Sequence, residues 1–423
     1  MQSRQRHKRR ARRTIAAVFL SLSGIAILFL IFMLANSDRL FSDDKPNNEK
    51  KSEQHEVTLE PTAAMIETPK PSPTPAPPVW TEAVWVAVGD IMMHTPQLPG
   101  YYDKASDTYD FTPYFTEVKP ILEQGDWVIA NLETPVAGKS YGYTGYPSFN
   151  APTELLDALK YAGFNLLSTA NNHSLDKGEK GLLRTIEHLK EKELAFKGTA
   201  SSQEEADEAL LMEMNDIRMG FLSYTYGTNG IPIPAGKPYT VELIDEESII
   251  EDMDRLRAAG ADFITVALHF GNEYQTQPSE AQKELARKLV AAGADIIAGS
   301  HPHVVQPYEI VETTDADGRK KQALIIYSMG NFISNQRGDT KDYGVIFKVN
   351  IRKNVTEQTT EIAEVEAIPT WVHRYAVNKK YQYRILPIEK TLADASDPLL
   401  TQADYTSLEG TFEQLRNRLQ SMK

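Results

Sequence analysis

The chain contains no cysteine. No disulfide can staple it, and a lipoprotein anchor, which needs a thiol, is excluded. A chain of 423 residues can build a core without disulfides, so this absence says nothing about which side of a membrane it occupies. Excess positive charge is also lacking: the formal net charge is -13. The basic residues that do cluster sit in MQSRQRHKRRARR at the start, so the remainder is more acidic than the total. An acidic chain is a poor match for phosphate backbones, which argues against a nucleic-acid partner. No internal repeat is visible. Hydrophobic residues make up 41% and charged residues 24%, an ordinary globular balance, and the length suits one large domain or two smaller ones.

One long apolar run is present. Residues 14–35 (TIAAVFLSLSGIAILFLIFMLA) carry no charge and match the roughly 20 residues that a membrane-spanning helix needs. With the basic residues 1–13 held in the cytoplasm, the rest of the chain is expected outside the cell membrane, on a single-pass anchor. The rival reading is a cleaved signal peptide, which would have a shorter apolar core and a small-residue cleavage site that MLANSDRL lacks. Residues 36–79 are polar and then Pro-rich (TPKPSPTPAPP), a composition that favours an extended disordered stalk.

From Trp80 to about residue 390 the pattern alternates between strand and helix. AVWVAVGD, WVIANLE, FNLLSTA, DFITVALHF and DIIAGS read as buried strands; KGEKGLLRTIEHLKEK, SIIEDMDRLRAAG and SEAQKELARKLVAAG read as helices, and TPYFTEVKPILEQ has apolar residues at helical spacing. This alternation predicts an α/β fold with a mostly parallel sheet. ALLMEMN and IRMGFLSYTY predict a hairpin around Asp216, and later segments look antiparallel, so two sheets flanked by helices are expected. Residues 391–423 form an amphipathic helical tail carrying Leu408, Phe412, Leu415 and Leu419.

The candidate chemistry lies at the ends of those strands, where open α/β sheets bind ligands. Asp90 follows VAVG, Glu133 follows VIANL, Asn172 and His173 follow LLSTAN, His269 follows ITVAL, and His301 and His303 flank Pro302 after IIAGS. Each has an ordinary alternative: a turn cap for Asp90, a salt bridge for Glu133, turn chemistry for Asn172, a satisfied core imidazole for His269. Carboxylate, amide oxygen and imidazole together suit a pair of divalent cations of the Mn, Zn, Fe or Mg type. Asn131 and Glu133 share a face by the period of two. Asp176, three residues after His173, is placed to orient that imidazole. His94 is a candidate ligand or substrate-binding group, Glu273 a candidate substrate contact, and Asn331 in SMGNF is a candidate for the lining of the same crevice.

In order, these motifs resemble the calcineurin-like metallophosphoesterases, whose pattern runs D-x-H, G-D-x-x-D, G-N-H-[DE], H and G-H-x-H. GSHPHV matches the last, ANNH the third and His269 the lone histidine, while Glu133 in NLE stands for the bridging aspartate. Met92 occupies the place of the first motif's histidine. VAVGDIMMH, VIANLETPV, GFNLLSTANNHSLDKG, HFGNEY, AGADIIAGSHPHVVQP and YSMGNFI are more closely similar to the bacterial capsule-synthesis CapA family (PgsA in some bacilli), tied to poly-γ-glutamate. The resemblance implies a four-layer α/β/β/α metallophosphatase-like sandwich. It implies one cation on Asp90, Glu133 and His303, and a second on Glu133, Asn172, His269 and His301, with His173 as general acid. It also implies an anionic polymer substrate and membrane synthase or export subunits as partners. Three functions stay open: a metal-dependent hydrolase, a non-catalytic polymer-binding subunit, and a stalked sensory or adhesion ectodomain.

Overall fold

The computed structural model describes residues 79–314 and 318–422. The expected basic tail, anchor and nearly all of the stalk lie outside the described residues. Among the described residues no helix is long and apolar enough to cross a membrane.

A small hairpin, β2 (Tyr102–Asp103) and β3 (Thr108–Tyr109), stands apart from two large sheets. The first sheet runs, in spatial order, β16 (Lys380–Pro387), β15 (Thr359–Val377), β14 (Tyr343–Asn354), β1 (Trp80–Ile91), β4 (Trp127–Leu132), β5 (Leu166–Ser168) and β6 (Ala195–Lys197), with β13 (Asn331–Ile333) beside the end of β1. The pairs from β1 to β6 are parallel, and β14 to β16 are antiparallel. The second sheet runs β11 (Tyr308–Thr314), β12 (Lys320–Ile326), β10 (Ile296–Ser300), β9 (Phe263–His269), β8 (Ile217–Thr225) and β7 (Leu211–Met214). Its central pairs are parallel and its two edge pairs antiparallel.

Side-chain alternation sets the layers. In β1, Trp85 and Ala87 join Trp127, Phe221, Phe263, Ile296 and Phe347 in a core between the sheets. Val86 and Val88 point the other way and pack with Leu155, Leu156 and Leu159 of the helix Glu154–Ala162. On the far side, Ile264, Val266 and Leu268 of β9 pack with Ile249, Met253 and Leu256 of one helix and Leu289 and Val290 of another. The order is helix, sheet, sheet, helix. Leu408, Phe412, Leu415 and Leu419, all on the helix Gln402–Leu419, enter the inter-sheet core.

Two local features differ from, or sharpen, the sequence reading. TPYFTEVKPILEQ does not form one helix: it gives a 3-10 turn at Thr112–Tyr114 and a short helix at Lys119–Leu122. Pro113 and Pro120 bring no N–H to a helical ladder, which favours such short pieces. The β7–β8 hairpin turns at Asn215 and Asp216, both at positive φ (50° and 62°), as two-residue hairpin loops require.

β1 is also fitted tightly to the loop before β13. The Asp90 N–H donates to the Gly330 carbonyl at 2.9 Å. A Cβ on Gly89 would lie 1.8 Å from that carbonyl oxygen. Gly89→Ala should therefore push β1 away from β13, lower stability by about 2 kcal/mol or more, and reduce metal uptake because Asp90 moves with the strand. Thermal melts with and without divalent cation would show both effects; an unchanged melt would mean that the two strands separate freely.

Candidate metal centre

Strand ends from both sheets deliver the candidate ligands. Asp90 lies near the end of β1, Glu133 one residue beyond β4, and Asn172 and His173 in the turn after β5. His269 ends β9, and His301 and His303 follow Ser300 at the end of β10. All of them are buried. His301 and His303 adopt positive φ, 99° and 58°. Such backbone is costly for residues with a Cβ and persists where the surroundings enforce it, often at functional sites.

The side chains form overlapping groups. Potential ligand atoms of Asp90, Glu133 and His303 lie within 4.8 Å of one another, as do those of Glu133, His269 and His301. Glu133 belongs to both, so it occupies the shared position. The His303 Nδ1 stands 3.0 Å from Asp90 Oδ2, and its Nε2 3.7 Å from Glu133 Oε1. The His269 Nε2 is 3.5 Å from the same Glu133 oxygen and 2.9 Å from the Asn172 Oδ1. Glu273 is exposed, yet its carboxylate forms a third group with His301 and His303.

The electrostatics fit a cation. Glu133 Oε1 and His301 Nδ1 are buried with no hydrogen-bond partner. Burial, and then the neighbouring Asp90, push the Glu133 carboxyl well above its usual range. Burial, with the neighbouring histidines, pushes His269 well below its usual value and His301 down to about 3. These imidazoles are therefore neutral, as ligands must be. Unpaired buried polar groups cost free energy that a divalent cation at this point would offset.

Neighbouring side chains hold the set in place. Asn131 Nδ2 donates to Asp90 Oδ1 at 2.9 Å and to Glu133 Oε2 at 3.3 Å, so one amide spaces two carboxylates. Asn171 Nδ2 in turn donates to Asn131 Oδ1 and to the Leu132 carbonyl. Asn131 was legible only as sharing the face of Glu133. The His173 Nδ1 is 2.8 Å from Asp176 Oδ2, which also accepts from the Phe149 N–H at 2.7 Å.

Of the other sequence candidates, His94 stands beside Phe149, which also packs on His173. Asn331 has no exposed surface; its amide donates to the carbonyls of His303 and Lys341 and to the Gln336 side chain. Met92 is buried and offers only a thioether where the phosphoesterase pattern has an imidazole. Tyr226 escaped the sequence reading. It follows β8, a neighbour of β9, and its ring centre is 4.6 Å from that of His301. Its place just beyond another parallel strand was the signal.

Residues 84–336 match the profile of the family described as "Bacterial capsule synthesis protein PGA_cap". The chain is 31% identical over 280 residues to the "Capsule biosynthesis protein CapA" of Bacillus anthracis, covering 64% of each. It is 29% identical over 311 residues to the "PGA biosynthesis protein CapA" of Bacillus subtilis, covering 72% of this chain and 78% of that protein. The match thus spans just under two thirds of the first relative's length. Among solved structures, the calcineurin-like phosphoesterase YfkN from Bacillus subtilis is 15% identical, covering 79% of this chain and 100% of that chain with a TM-score of 0.41. At that score the likeness carries no weight, and the layer order rests on the strands themselves.

The raised carboxyl of Glu133 gives a prediction for the metal-free protein. A carboxyl whose folded pKa exceeds the unfolded one loses stability as pH rises from the unfolded value through the folded one. With chelator present, Glu133→Gln should therefore raise stability at pH 7.5, by at least about 1 kcal/mol. The gain should shrink toward pH 4.5, and melting curves across that range measure it. A gain that stays constant with pH would contradict the burial argument.

Proposed function

Since the chain belongs to the bacterial capsule synthesis protein PGA_cap family, we propose that it acts in making or exporting an anionic capsule polymer through a dinuclear-metal, hydrolase-like site. Poly-γ-glutamate is the candidate polymer, and a phosphoester or γ-glutamyl amide the candidate bond. The observation that carries this reading is Glu133, shared by two ligand groups and buried with one oxygen unbonded. Asp90, Glu133 and His303 would hold one cation; Glu133, Asn172, His269 and His301 the other. Mn, Zn, Fe and Mg all suit this donor set. Two such cations would supply Lewis acidity and bring the pKa of a water toward neutrality.

The chain's own residues then divide the work. A water oxygen gives one proton to bulk water and bonds to the phosphorus or carbonyl carbon, and the bond to the departing oxygen or nitrogen breaks. The departing atom takes its proton from His173 Nε2, because Asp176 fixes the other ring nitrogen at 2.8 Å. Glu273, exposed at the rim, and His94 face the remainder of the substrate. In this reading residues 14–35 anchor the protein in the cell membrane, the domain works outside, and membrane synthase or export subunits are its partners.

A second reading, a polymer-gripping subunit without turnover, is favoured by one observation: buried Met92 leaves one cation with three protein ligands. Purified full-length chain should bind divalent cation, measured by plasma mass spectrometry, and His303→Ala should lose part of it. His173→Gln should keep the metal and lower kcat by about 10²–10⁴-fold. Metal without turnover of either bond type would favour the gripping subunit. No bound cation, together with unchanged polymer output from His301→Ala cells, would end the metal reading.

A further inference from the structure

The loop after β13 brings a second chemistry to the flank of the centre. Its Asn335 N–H donates to His94 Nδ1 at 3.3 Å, so this loop touches a side chain that packs on Phe149, which in turn packs on His173. The Asn335 Oδ1 accepts from Arg374 Nη1 at 3.0 Å and from the Tyr383 hydroxyl at 2.7 Å. Two residues on, the Arg337 guanidinium carbon sits 5.5 Å from the Tyr383 ring centre. Arg374 thus holds Asn335 directly, and Arg337 lies over Tyr383, which bonds the same asparagine, next to His94.

Neither arginine has a carboxylate within ion-pair distance among the described residues, although the chain is acidic overall and Arg184, Arg255, Arg257, Arg287, Arg352 and Arg384 are each paired. Arg337 goes further. Its Nη1 donates to the Gln336 carbonyl at 3.0 Å, while its Nε and Nη2 are buried with no acceptor at all. Buried donors on a cation without an acceptor are expensive, and a guanidinium presents them in a fork that matches a carboxylate or phosphate.

The geometry points to Arg337 and Arg374 as an oxyanion-binding pair, taking the negatively charged group next along the substrate from the bond at the metal centre. This rests on the polymer-processing reading above. A carboxylate side group and a phosphate share the required chemistry. It also gives an acidic protein a means of holding an anionic chain: two guanidiniums with no carboxylate within ion-pair distance stand beside the centre.

The test uses the metal-loaded full chain and two probes, a γ-linked glutamate oligomer and inorganic phosphate, by titration calorimetry. Arg337→Met and Arg374→Met should each weaken the oligomer roughly 10–100-fold, with metal content unchanged and, for Arg337→Met, a melting temperature no lower than the parent's, and Arg337→Lys should recover part of the loss. Weakening of phosphate alone would support the oxyanion pair and assign it to phosphate instead of carboxylate. Unchanged affinity for both probes, or no binding of either by the parent chain, would overturn the proposal. If the parent holds no metal yet the arginine variants still weaken a probe, the pair stands and the hydrolase reading falls.

Discussion

Placing two carboxylates and three imidazoles together in a buried position is the constraint on which this fold turns. Asp90, Glu133, His269, His301 and His303 are almost wholly removed from water, and they cannot satisfy one another: Glu133 keeps one oxygen unbonded and His301 one nitrogen. In a dry interior such groups favour their neutral forms, which is the direction in which burial moves Glu133, His269 and His301. A cation reverses that preference for the carboxylates and uses the neutral imidazoles as they are. The same burial that is unfavourable without a cation would therefore favour a divalent ion.

The two-sheet architecture is what makes the concentration possible. Parallel strands end side by side, so β1, β4 and β5 from one sheet and β9 and β10 from the other bring residues from five separate sequence regions to one place. The backbone must approach closely there, and Gly89 against Gly330 shows how little room a side chain has. The positive φ angles of His301 and His303 belong to the same arrangement: the turn around Pro302 is bent to present two rings, not to suit its own dihedral preferences.

Much of this was legible in the sequence, for a physical reason. Parallel strands buried on both faces read as unbroken apolar runs, and VAVGD, VIANLE, ITVALH and DIIAGSH each end in a polar side chain that has no place in a core. The register of Asn131 with Glu133 followed from the period of two, although its role in spacing Asp90 from Glu133 required the neighbouring strand. The stretch around Pro113 and Pro120 has helical apolar spacing but lacks two N–H donors, and the missing donors outweigh the spacing. The Arg337 and Arg374 pair left no sequence signal, since one lies in a loop and the other on β15, and only Tyr383, which Arg337 overlies and which bonds the Asn335 held by Arg374, links them.

The helix Gln402–Leu419 bears on how the molecule forms. Its Leu408, Phe412, Leu415 and Leu419 share a core with Trp85, so some of the first and last described elements complete the same interior. Contacts so distant along the chain close slowly, because the intervening loop entropy is lost before they form. Until that helix docks, the inner faces of both sheets remain partly uncovered and open to association with other chains. The vulnerable interval in the life of this protein is therefore the time between emergence of its strands and docking of the helix Gln402–Leu419, a period in which a chaperone would have the most to protect.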